Sequence, residues 1–184
     1  MKLWLVKPCW IKFKWITKEV RERKRFIVFE KKEYIVSSTF GVCMVEKVTK
    51  LVVGREQQME YYVLQSARDR SKKSYIPVEN HETVLRLPMT EEKAKEMLEN
   101  MVINGKQNVE ETSLTVAEAK ELLESGEPEK WAYGAIFYLK NKDRMDSQLE
   151  DVTGKIWENL SGELEFVLKK TQEDIRQILD NQLQ

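Results

Sequence analysis

The sequence predicts an α+β protein: a small strand-rich module resembling a curled sheet or SH3-like β-barrel, followed by an all-helical bundle. Two observations carry this. Between Tyr34 and Leu87, short β-branched and aromatic runs alternate with Gly, Pro, Ser and Asp turn signals. From Thr90 on, apolar residues recur at helical spacing behind Ser/Thr-x-x-acid capping signals. Pro88 stands at the join. The 184 residues thus divide into an arm at 1–26, a strand module at 27–88 and a helical part at 89–184.

Tyr34-Ile35-Val36 reads as the first strand. Ser37 to Gly41 is a turn in which Gly41 can take positive φ. Val42 to Val53 is a long β-branched run, broken at Gly54-Arg55. Met59 to Gln65 follows, then a polar loop from Ser66 to Ser71. Ser74 to Pro77 is a short strand that Pro77 must end or place at an edge. Thr83 to Leu87 is the last. Strands of this length and spacing suit a small closed or nearly closed sheet.

Thr90 caps the first helix, with Glu91 and Glu92 at its positive end; it is expected to run to about Met101. Asn104 to Asn108 reads as loop. Thr115 with Glu118 opens a helix through Leu123, and Gly126 ends it as a left-handed cap. Pro128 suits a first helical position, and Trp131, Ala135, Ile136 and Leu139 form one stripe. Ser147 with Glu150 predicts another capping box, ahead of a long apolar stripe from Leu149 to Val167. Thr171 with Asp174 starts a short last helix carrying Ile175, Ile178 and Leu179.

Charge is unevenly placed although the formal net charge is zero. Residues 1–25 hold nine Lys/Arg and two acids (+7); residues 26–184 hold 22 Lys/Arg and 29 acids (−7). In the arm, Trp4, Trp10 and Trp15 interleave with lysines. That pattern fits a nucleic-acid or membrane tether, a strand, or simply a solvated tail. No segment reaches the roughly 20 apolar residues of a membrane span, and Lys7-Pro8 interrupts any signal-peptide core.

Catalytic groups do not assemble in the sequence. His81 is the sole histidine and sits in a turn; Cys9 and Cys43 are far apart, with no CxxC. No phosphate-cradling glycine motif is present. The expectation is a non-enzyme with no cofactor, metal or small-molecule substrate. Trp131 and Trp157 read as core residues and Cys43 as a small core residue. Arg68, Arg70, Lys72 and Lys73 cluster beside the strand at Tyr75, and read as an ordinary polar turn or as an electrostatic docking edge.

Several segments together resemble one family. Tyr34-Ile35-Val36, Phe40-Gly41-Val42, Val45-Glu46-Lys47-Val48, Glu60-Tyr61-Tyr62-Val63-Leu64, Tyr75-Ile76-Pro77-Val78-Glu79-Asn80 and Val84-Leu85-Arg86 resemble the N-terminal domain of CarD-like transcription regulators. That domain is similar to the polymerase-interacting domain of the transcription-repair coupling factor. Ser125-Gly126-Glu127-Pro128 resembles the family's helix-ending SGD segment, and Gly162-Glu163-Leu164-Glu165-Phe166 its GELA segment, so the likeness spans about residues 30 to 180. It implies a Tudor/SH3-like barrel that docks on the bacterial RNA polymerase β subunit. It also implies a helical domain that contacts promoter DNA and modulates open-complex formation, in the cytoplasm, with no cofactor. The corresponding polymerase-contact residues are Lys50, Arg68, Lys72, Lys73, Ser74, Tyr75 and Ile76; the basic candidates for DNA are Lys130, Lys140, Lys142 and Arg144. Two departures stand out. Thr112 to Thr115 lacks the family's DNA-wedging Trp and its basic neighbours, and the helical half is acidic. The family's polymerase-facing arginines fall near Lys50 or Leu51 and at Tyr75. The alternative reading is a protein–protein adaptor that keeps the barrel and has lost DNA binding.

Overall fold

The computed structural model describes residues 29–53, 57–79, 83–106 and 113–183. The arm at 1–26, the turn at Gly54-Arg55 and His81 lie outside them. Among the described residues five strands, β1 (Tyr34–Ser37), β2 (Gly41–Val53), β3 (Gln57–Ser66), β4 (Lys73–Pro77) and β5 (Leu85–Arg86), precede five helices. These are α1 (Glu91–Lys106), α2 (Val116–Ser125), α3 (Pro128–Asn141), α4 (Ser147–Leu168) and α5 (Gln172–Leu183), with a single 3-10 turn between α3 and α4.

The sheet is antiparallel in the order β4-β3-β2-β1-β5 and open, with β4 and β5 at its edges. A closed barrel is therefore not what the described ladder forms. The reason lies in strand length. β2 and β3 make one long hairpin, whereas β5 contributes two residues, which pair with β1. The Thr83–Leu87 strand shrinks accordingly to Leu85–Arg86.

Period-2 alternation gives β1 and β2 two buried faces. Ile35, Cys43 and Val45 join Phe29, Tyr62, Leu64 and Ile76 in a cluster on one side. Val36 and Val42, one residue along, join the helical core on the other. Cys43 is a core residue: burial pushes its thiol up to about 12. Between Val45 and Lys47 the register shifts at a β-bulge, so the phase of side chains along β2 flips beyond Glu46.

α4 is the central helix, touching α1, α2, α3, α5 and β2. Trp131 and Trp157 are buried in this core, and Trp131 Nε1 donates to the Leu123 carbonyl at the end of α2. Capping follows the sequence at α2, where Thr115 and Glu118 satisfy each other's backbone N–H, and at α5, where Thr171 and Asp174 do the same. At α4 the cap is instead Asp146, whose carboxylate accepts from the Gln148 and Leu149 N–H; Ser147 is already helical. A carboxylate at this position also meets the helix dipole, which a serine cannot. α1 continues to Lys106, through part of the stretch expected to be loop, and α5 is three turns long.

The sheet is joined to the helices by a polar seam. Glu163 of α4 is fully buried. It accepts from Arg86 Nη1 and Nη2, both at 2.6 Å, and from the Met89 N–H at 2.8 Å. Arg86 also donates through Nε to the Gly126 carbonyl and lies over the Trp131 ring at 5.4 Å. Asn159 Nδ2 donates to the Ser38 carbonyl, and Tyr34 packs on Phe166. Both left-handed glycines among the described residues sit here. A Cβ on Gly126 (φ 64°) would come 2.8 Å from Val84 Cγ1, and one on Gly41 (φ 68°) 3.1 Å from Asn159 Oδ1.

Breaking the pair by Arg86→Ala leaves a buried carboxylate without its partner. The expected cost is about 3–5 kcal/mol, or roughly 10 °C in Tm, read by thermal circular dichroism. An unchanged Tm would show that the pair is not needed for stability.

Candidate protein-docking edge

β4 has one paired side and one free side. The Ser66 N–H donates to the Lys72 carbonyl and the Val78 N–H to the Glu60 carbonyl. In an antiparallel ladder such pairs recur at every second residue, so the backbone groups of 72, 74, 76 and 78 face β3. Those of Lys73 and Tyr75, and the Pro77 carbonyl, face outward. The free edge thus offers two N–H donors and three carbonyls. Pro77, with no N–H, limits how far a partner strand can extend.

The turn that leads into this edge is held by its own hydrogen bonds. Asp69 Oδ1 accepts from the Ser71 N–H (3.0 Å) and hydroxyl (2.6 Å), which holds its carboxyl below the ordinary value. Gln65 Nε2 donates to the Arg70 carbonyl. Lys73 pairs with Glu46 at 2.6 Å, and that contact lowers the Glu46 pKa. The edge therefore carries exposed Arg70, Lys72 and Lys73 on an ordered scaffold.

The residues expected at the polymerase face separate into four groups. Lys72, Lys73 and Tyr75 stand at the edge; Tyr75 is 56% exposed. Ile76 turns inward to the sheet cluster, and half-buried Ser74 shares its side of the strand. Arg68 does not face outward at the edge: it reaches α4, pairs with Glu165 at 2.9 Å and packs against Gly162. Lys50 pairs loosely with Glu60 at 3.7 Å and lies on the opposite face of the hairpin from Tyr75. Sequence reasoning missed the apolar surface beside the edge. Leu51, Met59, Tyr61 and Tyr75 share one outer face, because the bulge at Glu46 brings Leu51 round to it. No period-2 pattern read without the bulge could have shown this.

The four lysines and arginines considered for DNA are split. Lys140, Lys142 and Arg144 gather at the end of α3 and the following 3-10 turn, with Asp143 and Asp146 beside them in sequence. Lys130 is ten residues back along α3, about 15 Å away, and pairs with Glu127 at 3.0 Å. Residues 89–184 carry 12 Lys/Arg against 21 Asp/Glu, a net −9.

Among the described residues no group of three His, Cys, Asp or Glu side chains could hold a metal ion, and no helix is long and apolar enough to cross a membrane. Residues 29–87 match the family model of the CarD-like/TRCF RID domain. The chain carries a CarD-like domain. This domain family is a protein-interaction module. The match ends at Leu87, so α1 to α5, which the sequence likeness was expected to include, stand outside it. No curated protein matches the chain.

If the edge is an interaction surface, Arg70→Glu combined with Lys72→Glu changes its charge without touching a buried contact. The melting temperature should stay within about 1 °C, as for surface substitutions worth under roughly 0.5 kcal/mol. A large loss would instead make the turn part of the folded scaffold.

Proposed function

We propose that this chain is a non-enzymatic transcription regulator that docks on the β subunit of bacterial RNA polymerase through the free edge of β4. The observation that carries this is the outward pair of backbone groups at Lys73 and Tyr75 in a CarD-like domain, flanked by cations and by the Tyr75 face. Strand addition supplies affinity through the main chain and selects side chains at alternate positions. Arg70, Lys72 and Lys73 steer an acidic partner and speed encounter. The Tudor-like character of the domain belongs to the same reading.

A second reading concerns the helices. Net −9 opposes phosphate contact, whose affinity rests on neutralising cations. The absence of the family's Trp points the same way. On this reading the helical part is an adaptor surface for another protein.

Tyr75→Pro tests the docking edge. It removes an outward N–H, leaves the inward hydrogen bonds to β3 in place and suits an edge strand. In calorimetry of the full chain with the polymerase β lobe, the Kd should rise tenfold or more, about 1.4 kcal/mol, with the circular dichroism spectrum unchanged. Equal affinity would reject the edge. For the helices, Lys140→Glu/Lys142→Glu/Arg144→Glu should leave the salt dependence of promoter retention by the polymerase complex unchanged. A slope reduced by roughly 2–3 would instead assign three phosphate contacts there.

A further inference from the structure

α1 shows two kinds of surface. Glu92, Glu96, Glu99 and Ile103 fall within about 60° of one another on the helical wheel. All four are exposed, Ile103 by 52%. Glu96 and Glu99 form no ion pair among the described residues. Beside this acidic stripe runs a groove of about 370 Å³ between α1 and α3. Its floor includes Met97, Met101, Tyr133 and Ile136; Lys93 and Glu129 pair across it at 2.8 Å. The surface is thus a slot bridged by the Lys93–Glu129 pair and edged by Glu96, with exposed Glu92 and Glu99 beside it.

The same chain holds a complementary segment. Residues 1–25 carry +7 and place Trp4, Trp10, Phe13 and Trp15 among their lysines and arginines. Residues 26–88 carry +2, so the negative surface in this molecule is the helical part. The described chain starts at Phe29, which is buried and donates its N–H to Tyr62 Oη. The 28 preceding residues can span roughly 90 Å when extended. A body of about 150 residues has a radius of gyration of only about 15 Å. Every point on the helices is within reach.

We infer that residues 1–25 dock back on the α1–α3 groove, seating an aromatic ring on the half-buried Ala132 and Tyr133, over the buried Met97 and Met101, with arm cations along Glu92, Glu96 and Glu99. An aromatic ring packed on Tyr133 is a favourable contact, and the exposed charges make the association sensitive to salt. The arm then covers the acidic face of its own chain. It is held there in preference to a membrane or a nucleic acid.

The arm carries its own probe position. Cys43 is fully buried, which leaves Cys9 for a nitroxide label on the full-length chain. With methyl-labelled methionine, paramagnetic broadening is read at seven methyls. Met1, eight positions before the label at Cys9, reports that the label is present. The expected result is loss of at least half the Met97 and Met101 signal relative to the ascorbate-reduced sample, with Met44 and Met145 unaffected. Glu96→Lys/Glu99→Lys should restore both signals, as should 0.5 M salt. Broadening confined to Met1, broadening centred on Met59 of the sheet, or Met97 broadening indifferent to the charge reversal would each overturn the assignment.

Discussion

Glu163 has no exposed surface, and a carboxylate in that position is tolerable only when its oxygens are taken up. Arg86 supplies two parallel N–H donors and the Met89 backbone a third. The guanidinium is fixed in turn by the Gly126 carbonyl and the Trp131 face. One ion pair thereby joins the last strand, the segment that leaves the sheet, the α2–α3 turn and the central helix. Coulomb attraction between such groups is offset largely by desolvation, so its main effect is on geometry. Removing one partner, by contrast, leaves a buried charge exposed to the full penalty.

This seam ties the open sheet to the helices. Val36 and Val42 belong to the helical core while their neighbours Ile35 and Cys43 fill the sheet cluster. Excising the sheet would expose the first pair and strand Arg86. The open edge at β4 lies away from this seam, on the far side of β3 from β2. Docking through it therefore needs no rearrangement of the core, and whatever binds there is held in a set orientation to α4. Arg68, drawn from the basic cluster to Glu165, is part of that fixation.

Local chemistry was legible wherever one short motif sufficed. The Thr115–Glu118 and Thr171–Asp174 boxes, the left-handed Gly41 and Gly126, Pro128 at a helix start and the buried tryptophans all follow from residue type and spacing. What failed depends on distant partners. Asp146 displaced Ser147 as a cap because both suit the position and the register of the buried stripe decides between them. The bulge at Glu46 has no glycine to announce it, so the Leu51 face stayed hidden. Arg68 and Lys72 are alike in sequence, and only the position of α4 separates a seam residue from an edge residue. The Glu163–Arg86 pairing joins residues 77 positions apart, and spacing carries no trace of it.

Coupled through the Glu163 seam, sheet and helices are expected to unfold as one body. Native-state hydrogen exchange on the full chain tests it most directly. The amides of Val36 and Cys43 in the sheet and of Ile156 and Leu160 in α4 should open with the same free energy and the same denaturant dependence. If the sheet amides instead open at a distinctly lower free energy while α4 stays protected, the two parts are separate units and the Glu163 seam does not couple them.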